Sequence, residues 1–159
     1  MTVKELLARK GLVLPAPYKL PPGVVVPFSW VRRRGPVAYV SGHVPLNADG
    51  TLLEPLGKVG AEVSAEQAKR AARQVALGML ASLERELGDL ERIKAWGRVL
   101  GLVNVAPGFT QTPGVMNGFS ETIVELFGPE RGTHARSAIG VAELPFGVPV
   151  EVEAEVEIA

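Results

Sequence analysis

The chain ends with HARSAIGVAELP at residues 134–145 and VPVEVEAEVEI at residues 148–158, and both stretches alternate as strands do. Successive side chains of a strand point to opposite faces, so the second stretch has valine and isoleucine on one face and glutamate on the other. This alternation is typical of a sheet with one face in a core and one face toward solvent. We expect a solvent-facing role for Glu151, Glu153, Glu155 and Glu157. Only a partner such as Arg136 would give one of these glutamates a different role.

Arg136 is the one large cation on its strand face, and Ala138 and Gly140 follow it on that face. Such small residues leave space in front of the guanidinium, and a glycine within a strand often marks the close approach of a ligand. A guanidinium is planar and has five donors, which suits it to hold a carboxylate or a phosphate. The pattern predicts an anion site at Arg136. The alternative is a structural salt bridge to one of the nearby glutamates.

The length of 159 residues is ordinary for one domain, and we predict a single domain over residues 1–159. Within it, residues 1–22 are expected to form a short helix capped by Thr2 and a proline-rich arm that packs on the remainder. The formal net charge is zero, which gives no general attraction to nucleic acid or to an anionic membrane. The arginine run at residues 32–34 is interpreted as a solvated turn rather than an RNA patch, because no aromatic platform accompanies it.

The chain has no cysteine, so disulfides, thiol nucleophiles and thiolate metal sites are excluded. Its two histidines, His43 and His134, lie in unrelated segments with no carboxylate at metal-ligand spacing, so we expect no metal. Charges are spread through residues 1–11, which argues against a signal peptide or a membrane span. A cytoplasmic protein without a membrane partner is the resulting expectation.

The clearest helix is predicted from Ser64 to Leu87. Ser64 at the N-cap and Gln67 three residues later form a capping box, an apolar stripe follows at helical spacing, and Gly88 supplies the stop. A second helix is predicted near residues 115–127. Because its apolar stripe must be covered, the long helix is expected to lie on a sheet.

Three strands are predicted ahead of the two at the C-terminal end, at residues 24–34, 37–41 and 93–105. The third of these is expected to be a long central strand with Trp96 and Val99 on opposite faces. Two helices with about five or six strands predict an α+β fold, a mixed sheet with both helices packed on one face. The glutamate-rich side of the last strand is then the side without helices.

The order of the motifs resembles the reactive-intermediate imine deaminase family, also called the YjgF family and often described as endoribonuclease L-PSP. The resemblance covers residues 11–158. Its landmarks are ARS at 135–137, GVAELP at 140–145, VEVEA at 150–154, YVSGHVP at 39–45 with DG at 49–50, and VMN at 115–117 ahead of FG at 127–128. The resemblance implies the chorismate-mutase-like fold and a homotrimer. In that trimer three sheets close into a central barrel, with helices outside and sites in the clefts between subunits.

The resemblance also implies roles for individual residues. Arg136 matches the family's substrate-carboxylate arginine, and Glu151 matches the glutamate that positions or activates the hydrolytic water. Ser41 and Gly42 match the segment whose backbone lines the family's pocket. The alternative interpretation of these two residues is a simple turn at the end of a strand. His43 follows Gly42 and occupies a position where the archetypal members of the family have an amide side chain. It could be a hydrogen-bond donor or a half-buried turn residue.

Other pocket positions depart from the family or are ambiguous. Phe28 stands where the archetypal deaminases have a tyrosine, and Ala138 where they have a small polar residue, often cysteine. Gly140 replaces a larger residue in several members, so the predicted pocket is roomier and less polar. The family's helix-borne asparagine is matched by Asn117 from its sequence context or by Ser120 from its distance to the following Phe-Gly, and both could share one helix face.

Three functions are compatible with these residues. The preferred one is hydrolysis of a 2-imino acid or enamine to a 2-keto acid and ammonia at an intersubunit pocket, where Arg136 holds the carboxylate and Glu151 directs water without any cofactor. The second is a non-catalytic module that binds or senses a small carboxylate, because three pocket positions have changed. The third, an endoribonuclease, requires a basic track and stacking aromatics that the sequence lacks. An enlarged apolar pocket favours an imino acid bulkier than the smallest ones.

Overall fold

The computed structural model describes all 159 residues and contains a five-stranded sheet with helices on one face. The strands are β1 (Val31–Arg34), β2 (Val37–His43), β3 (Ile93–Asn104), β4 (Ala135–Val141) and β5 (Val150–Ile158). The helices are α1 (Val3–Arg9), α2 (Ala65–Leu87) and α3 (Thr112–Gly132). The sheet order is β1-β2-β5-β3-β4, in which β3 and β4 are parallel and the other neighbours are antiparallel. The predicted α+β class with a mixed sheet is confirmed, although β5 rather than β3 is the central strand.

The alternation of β5 divides the sheet into a covered and an open face. Its valines, its alanine and its isoleucine are buried, whereas the side chains of Glu153, Glu155 and Glu157 are exposed. Helix α2 packs against β2 and β5, and α3 packs against β3 and β4. One hydrophobic core of 33 buried residues joins the sheet to all three helices. The glutamate-rich face is therefore the face without helices, as the sequence predicts.

Helix α2 begins and ends where the sequence predicts. The Ser64 hydroxyl accepts from the Gln67 N–H at 3.1 Å, and the Gln67 side chain accepts from the Ser64 N–H at 2.9 Å. These two bonds satisfy donors that the first turn of a helix leaves free. Gly88 ends the helix in the left-handed region with a φ of 81°, which a residue with a side chain rarely adopts.

The N-terminal helix α1 is likewise capped by Thr2, whose hydroxyl accepts from the Glu5 N–H at 3.2 Å. Val3 and Leu7 on its inner face are buried in the common core, where α1 contacts α3. Helix α3 is longer than predicted, but Gly128 has a φ of 75° and interrupts its regular geometry. No helix of the chain combines the length and the apolar character needed to cross a membrane.

The strand predicted at residues 24–34 is wrong over most of its length, because only the last four residues pair with β2. Pro27 has no N–H to donate to a ladder, and Val25 is 87% exposed rather than packed. The residues ahead of β1 therefore form an irregular segment, which carries Phe28 and Trp30 to the end of β2.

The predicted faces of β3 also need a correction. The register between β3 and β5 shifts between Trp96 and Arg98, as in a β-bulge. A bulge inserts an extra residue and reverses the alternation beyond it. Trp96 and Val99 consequently share the helix-covered face, with 2% and 0% of their surface exposed, instead of lying on opposite faces.

Candidate functional site

The side chain of Arg136 extends from β4 to α3, on the covered side of the sheet. Its Nη1 donates to Asn117 Oδ1 at 3.0 Å and to Ser120 Oγ at 3.1 Å, and its Nη2 donates to the Pro113 carbonyl at 3.4 Å. The structure thus places both of the alternative helix residues, Asn117 and Ser120, against the arginine. They are three residues apart and share one face of α3.

No carboxylate of the chain pairs with the half-buried Arg136, so the alternative of an internal salt bridge is not realised. Three of the five guanidinium donors are used by α3, which leaves Nε–H and one Nη2 hydrogen without an acceptor in the chain. Nε and Nη2 form one edge of the planar group, and this edge binds carboxylates side-on. The arrangement can therefore hold a small carboxylate with a guanidinium that is already fixed in place.

Glu151 lies near the start of β5, directly against Gly42 at the end of β2. A Cβ built on Gly42 would be 3.0 Å from Cδ and 3.2 Å from Oε1 of Glu151, so the missing side chain makes room for the carboxyl group. Burial, together with the charge of nearby Glu153, raises the pKa of Glu151 above its usual range. A half-buried carboxyl with a raised pKa is suited to take up and release a proton.

Arg136 and Glu151 of one chain lie on opposite faces of its sheet. Val99 pairs with Arg136 across β3 and β4, whereas Leu102 pairs with both Glu151 and Ile139. Directly paired residues share a face, and positions 99 and 102 of a regular strand face opposite ways. Val99 is covered by the helices, while Ile139 is 47% exposed on the open face. A single chain therefore does not bring the two predicted catalytic residues together.

Ser41 and Gly42 occupy an irregularity where the register between β2 and β5 shifts. The Ser41 hydroxyl donates to the Ser29 carbonyl at 2.7 Å, and the Ser41 N–H donates to the Trp30 carbonyl at 3.0 Å. These bonds attach the irregular segment that carries Phe28 to the strand end that carries Gly42. Two predicted pocket positions, Phe28 and Ser41, are thereby joined to the strand end at which Gly42 contacts Glu151.

An aromatic cluster that the sequence did not reveal continues from this point. Phe28 meets Trp30 edge-to-face at 5.2 Å between ring centroids, Trp30 meets Tyr18 at 6.4 Å, and Tyr18 meets Phe146 at 6.2 Å. Phe28 and Phe146 are about half exposed, at 50% and 53%. Phe146 also has a φ of 60°, which is uncommon for a residue other than glycine. The four rings come from three separate segments without a common motif, so no pattern in the sequence links them.

The open space expected beside Gly140 is filled by the chain itself, which corrects the prediction of a roomier pocket there. A Cβ on Gly140 would be 2.9 Å from Cγ2 of Val105, in the loop after β3. Ala138 is half-buried against the core, and its carbonyl accepts from the Thr112 hydroxyl at 2.9 Å. The small residues of β4 therefore allow close internal packing, which strand alternation alone does not disclose.

His43 is buried in a chain of hydrogen bonds on the covered side of the sheet. Its Nδ1 donates to the Ser41 carbonyl at 2.6 Å, and its Nε2 accepts from the Ser82 hydroxyl at 2.8 Å. Arg85 donates to the same hydroxyl at 3.2 Å. Burial lowers the pKa of His43 to about 4, and the charge of Arg85 acts in the same direction. Neither histidine belongs to a group of three or more His, Asp or Glu side chains that could hold a metal ion.

Acidification is expected to destabilise the chain through His43. Its pKa is about 4 in the folded state and close to 6.5 when unfolded, so the unfolded state binds more protons between these values. The free energy of unfolding should therefore fall as the pH drops through this window, by about 3 kcal/mol in all. Denaturant unfolding at several pH values measures the slope. His43→Gln should have a shallower slope than the parent, and equal slopes would contradict the assignment.

Comparison with known proteins gives consistent matches over most of the chain. A sequence model of the family described as "YjgF/chorismate mutase-like, putative endoribonuclease" matches residues 7–150, which include Arg136 and end immediately before Glu151. Protein TCP17 of Trypanosoma cruzi is 42% identical over 120 residues, which are 76% of this chain and 74% of TCP17.

Two crystal structures are similar over nearly the full length. Atu1372 of Agrobacterium tumefaciens, a protein described as having unknown function, superposes with a TM-score of 0.86 and 34% identity, covering 99% of this chain and 92% of Atu1372. A protein of Shewanella oneidensis described as a putative endoribonuclease superposes with a TM-score of 0.90 and 27% identity, covering 99% of this chain and 100% of that one.

Proposed function

Because the chain belongs to the YjgF/chorismate mutase-like family, we propose that it hydrolyses a 2-imino acid or its enamine to a 2-keto acid and ammonia. The observation that carries the proposal is the state of Arg136. Helix α3 fixes its guanidinium through Asn117 and Ser120, yet no carboxylate of the chain neutralises it and one edge remains free. A fixed, unpaired guanidinium supports a site for a small carboxylate.

The reaction needs one anchoring group and one group that transfers a proton. Arg136 binds the substrate carboxylate and so orients the neighbouring C=N bond. The oxygen of water bonds to the imine carbon while Glu151 takes a proton from the water and passes it to the imine nitrogen. The carbinolamine formed in this way then loses ammonia as its hydroxyl proton moves to nitrogen and the C=O bond forms. The raised pKa of Glu151 suits this exchange near neutral pH.

The pocket is proposed to be shared between subunits of a homotrimer. Since Arg136 and Glu151 of one chain lie on opposite faces of the sheet, one small ligand meets both only where two chains come together. The open face carries exposed apolar side chains, among them Tyr39 at 46% and Ile139 at 47% exposure. The sheet also has two unpaired edges, at β1 and β4. Assembly through this face would cover the apolar side chains, and strand pairing between neighbouring chains would cover the edges.

The aromatic cluster supports a substrate with a large apolar side chain. Phe28 keeps an aromatic ring without a hydroxyl group, and it lies on the segment that is attached to Ser41, beside Gly42 and Glu151. Apolar surface removed from water contributes roughly 25 cal/mol per Å², so a leucine or phenylalanine side chain against these rings gains more than a methyl group. The preference for a large side chain therefore depends on these rings and not on the space beside Gly140, which Val105 fills.

We expect the purified chain to accelerate keto-acid release from imines generated in situ by an amino-acid oxidase. Imines derived from leucine or phenylalanine should react faster than the one derived from alanine. Arg136→Ala should lose about two orders of magnitude in rate because the substrate is no longer oriented. Arg136→Lys should recover little of it, since an ammonium group cannot make the side-on fork.

Failure of every imine to react faster would overturn the enzymatic proposal and leave the binding module as the alternative. That alternative has its own measurement. Small carboxylates should then raise the melting temperature of the parent by mass action and should not raise that of Arg136→Ala. Ribonuclease activity remains the least supported function, because the chain has no net positive charge to attract RNA.

A further inference from the structure

The hydrogen bonds around Arg136 continue through Ser120 to a histidine. His134 Nε2 lies 2.9 Å from Ser120 Oγ, and His134 Nδ1 lies 2.7 Å from the carbonyl oxygen of Gly132. A carbonyl oxygen only accepts, so Nδ1 carries the hydrogen in this contact. In the neutral ring Nε2 is then an acceptor, and the Ser120 hydroxyl donates to it.

This assignment gives Ser120 a fixed direction. Its single hydrogen points to His134, and its lone pairs remain for Nη1 of Arg136 at 3.1 Å. Three hydrogen bonds therefore share one donor-to-acceptor direction: Arg136 donates to Ser120, Ser120 to His134, and His134 to the carbonyl of Gly132. We call this set the His134 relay.

The surroundings of the ring favour its neutral form. His134 is half-buried, and Phe119 of α3 meets it edge-to-face at 6.3 Å between ring centroids. Burial lowers the pKa of His134, and the positive charge of Arg136 lowers it as well. Arg136 is the charged group that the ring faces on β4, while α3 presents Ser120 and Phe119. The relay is consequently intact at neutral pH.

We propose that His134 is a positioning residue for carboxylate binding, because it holds the Ser120 hydroxyl as an acceptor that fixes Arg136. This inference rests on the proposed function only in taking a carboxylate as the ligand of Arg136. Without the imidazole, the Ser120 hydroxyl can rotate and donate elsewhere. The guanidinium then loses a fixed acceptor, and its free edge is no longer held toward the ligand.

Pyruvate, a small 2-keto acid, is the probe, with its dissociation constant measured by calorimetry at neutral pH. His134→Phe keeps a ring but has no acceptor, and it should weaken binding about tenfold, similar to the loss of other supporting contacts. His134→Gln can place its amide oxygen near the position of Nε2 and should restore binding to within about threefold of the parent. Thr133→Ala, an exposed neighbour, is the matched control and should bind as the parent does.

Each result bears on a defined part of the proposal. Equal affinities of the parent and His134→Phe would overturn the positioning role, and so would equally weak binding by His134→Phe and His134→Gln. If Arg136→Ala also binds pyruvate like the parent, or if the parent does not bind it, the carboxylate site itself fails instead. Nitrogen-15 NMR of the histidines tests the relay without any ligand or variant: hydrogen on Nδ1 is expected for His134, and hydrogen on Nε2 would overturn it.

Discussion

A mixture of two inactive variants, Arg136→Ala and Glu151→Gln, is expected to regain about a quarter of the parent's activity once their chains have exchanged. Alone, Glu151→Gln should lose about two orders of magnitude or more in rate, because an amide cannot take a proton from water. Activity is recovered because Arg136 and Glu151 of one chain lie on opposite faces of its sheet. If each pocket takes Arg136 from one chain and Glu151 from its neighbour, about one pocket in four of a randomly mixed trimer has both intact residues.

The experiment needs two differently tagged chains that are unfolded, mixed in equal amounts and refolded. Purification through both tags then removes the unmixed trimers, and the expected recovery rises to about one pocket in three. Light scattering should give three times the chain mass of 16.9 kDa for the parent and for the mixture. Glu155→Gln, on the same exposed face, serves as the control variant and should be nearly as active as the parent. Mixed trimers without recovered activity would show that each site lies within one chain. A monomeric parent would contradict the shared pocket altogether.

Gly118→Ala is expected to destabilise the chain by about 3 kcal/mol or to prevent folding, the upper range for an overpacked core. A Cβ at Gly118 would be 2.0 Å from the carbonyl oxygen of Lys69 and 2.9 Å from its carbonyl carbon. Both atoms belong to the backbone of α2, so no side-chain rotation relieves the contact. Helix α3 would have to move away from α2, and Asn117 and Ser120 would move with it.

Denaturant unfolding measures the loss, and a second glycine of α3 provides the control. Gly114 has no atom within 4 Å of its missing Cβ. Gly114→Ala should therefore be neutral or stabilise the chain by up to about 1 kcal/mol, since alanine favours a helix more than glycine does. Equal stability of the two variants would mean that the close approach of α2 and α3 does not depend on Gly118.

Local signals predicted the parts of the fold that depend on neighbouring residues. The capping box at Ser64 and the stop at Gly88 set the ends of α2, because a cap involves only a few consecutive residues. The alternation of β5 predicted its buried and exposed faces for the same reason. The bulge near Trp96 was not predicted, since an inserted residue leaves no mark on composition and is defined only by the pairing with β5.

In the candidate site, too, the sequence predicts what neighbouring residues determine and misses what contacts between distant segments determine. The sequence identifies the cation on β4 as the one large charge beside small residues. The family resemblance names its partners Asn117 and Ser120 only as alternatives, and the structure has both of them at Arg136. The volume beside Gly140 was predicted wrongly, because the sequence does not say which segment covers a strand, and Val105 covers this one. The aromatic cluster and the His134 relay depend on contacts between distant segments, which alternation and spacing do not encode.

The contact between Gly42 and Glu151 also constrains how this sequence can diverge. Any side chain at position 42 would compete for the volume that the Glu151 carboxyl group occupies. An alanine at position 42 would displace the Glu151 carboxyl group by a few tenths of an ångström, and a larger residue would displace it further. The position of this carboxyl group therefore depends on a residue of another strand that has no side chain.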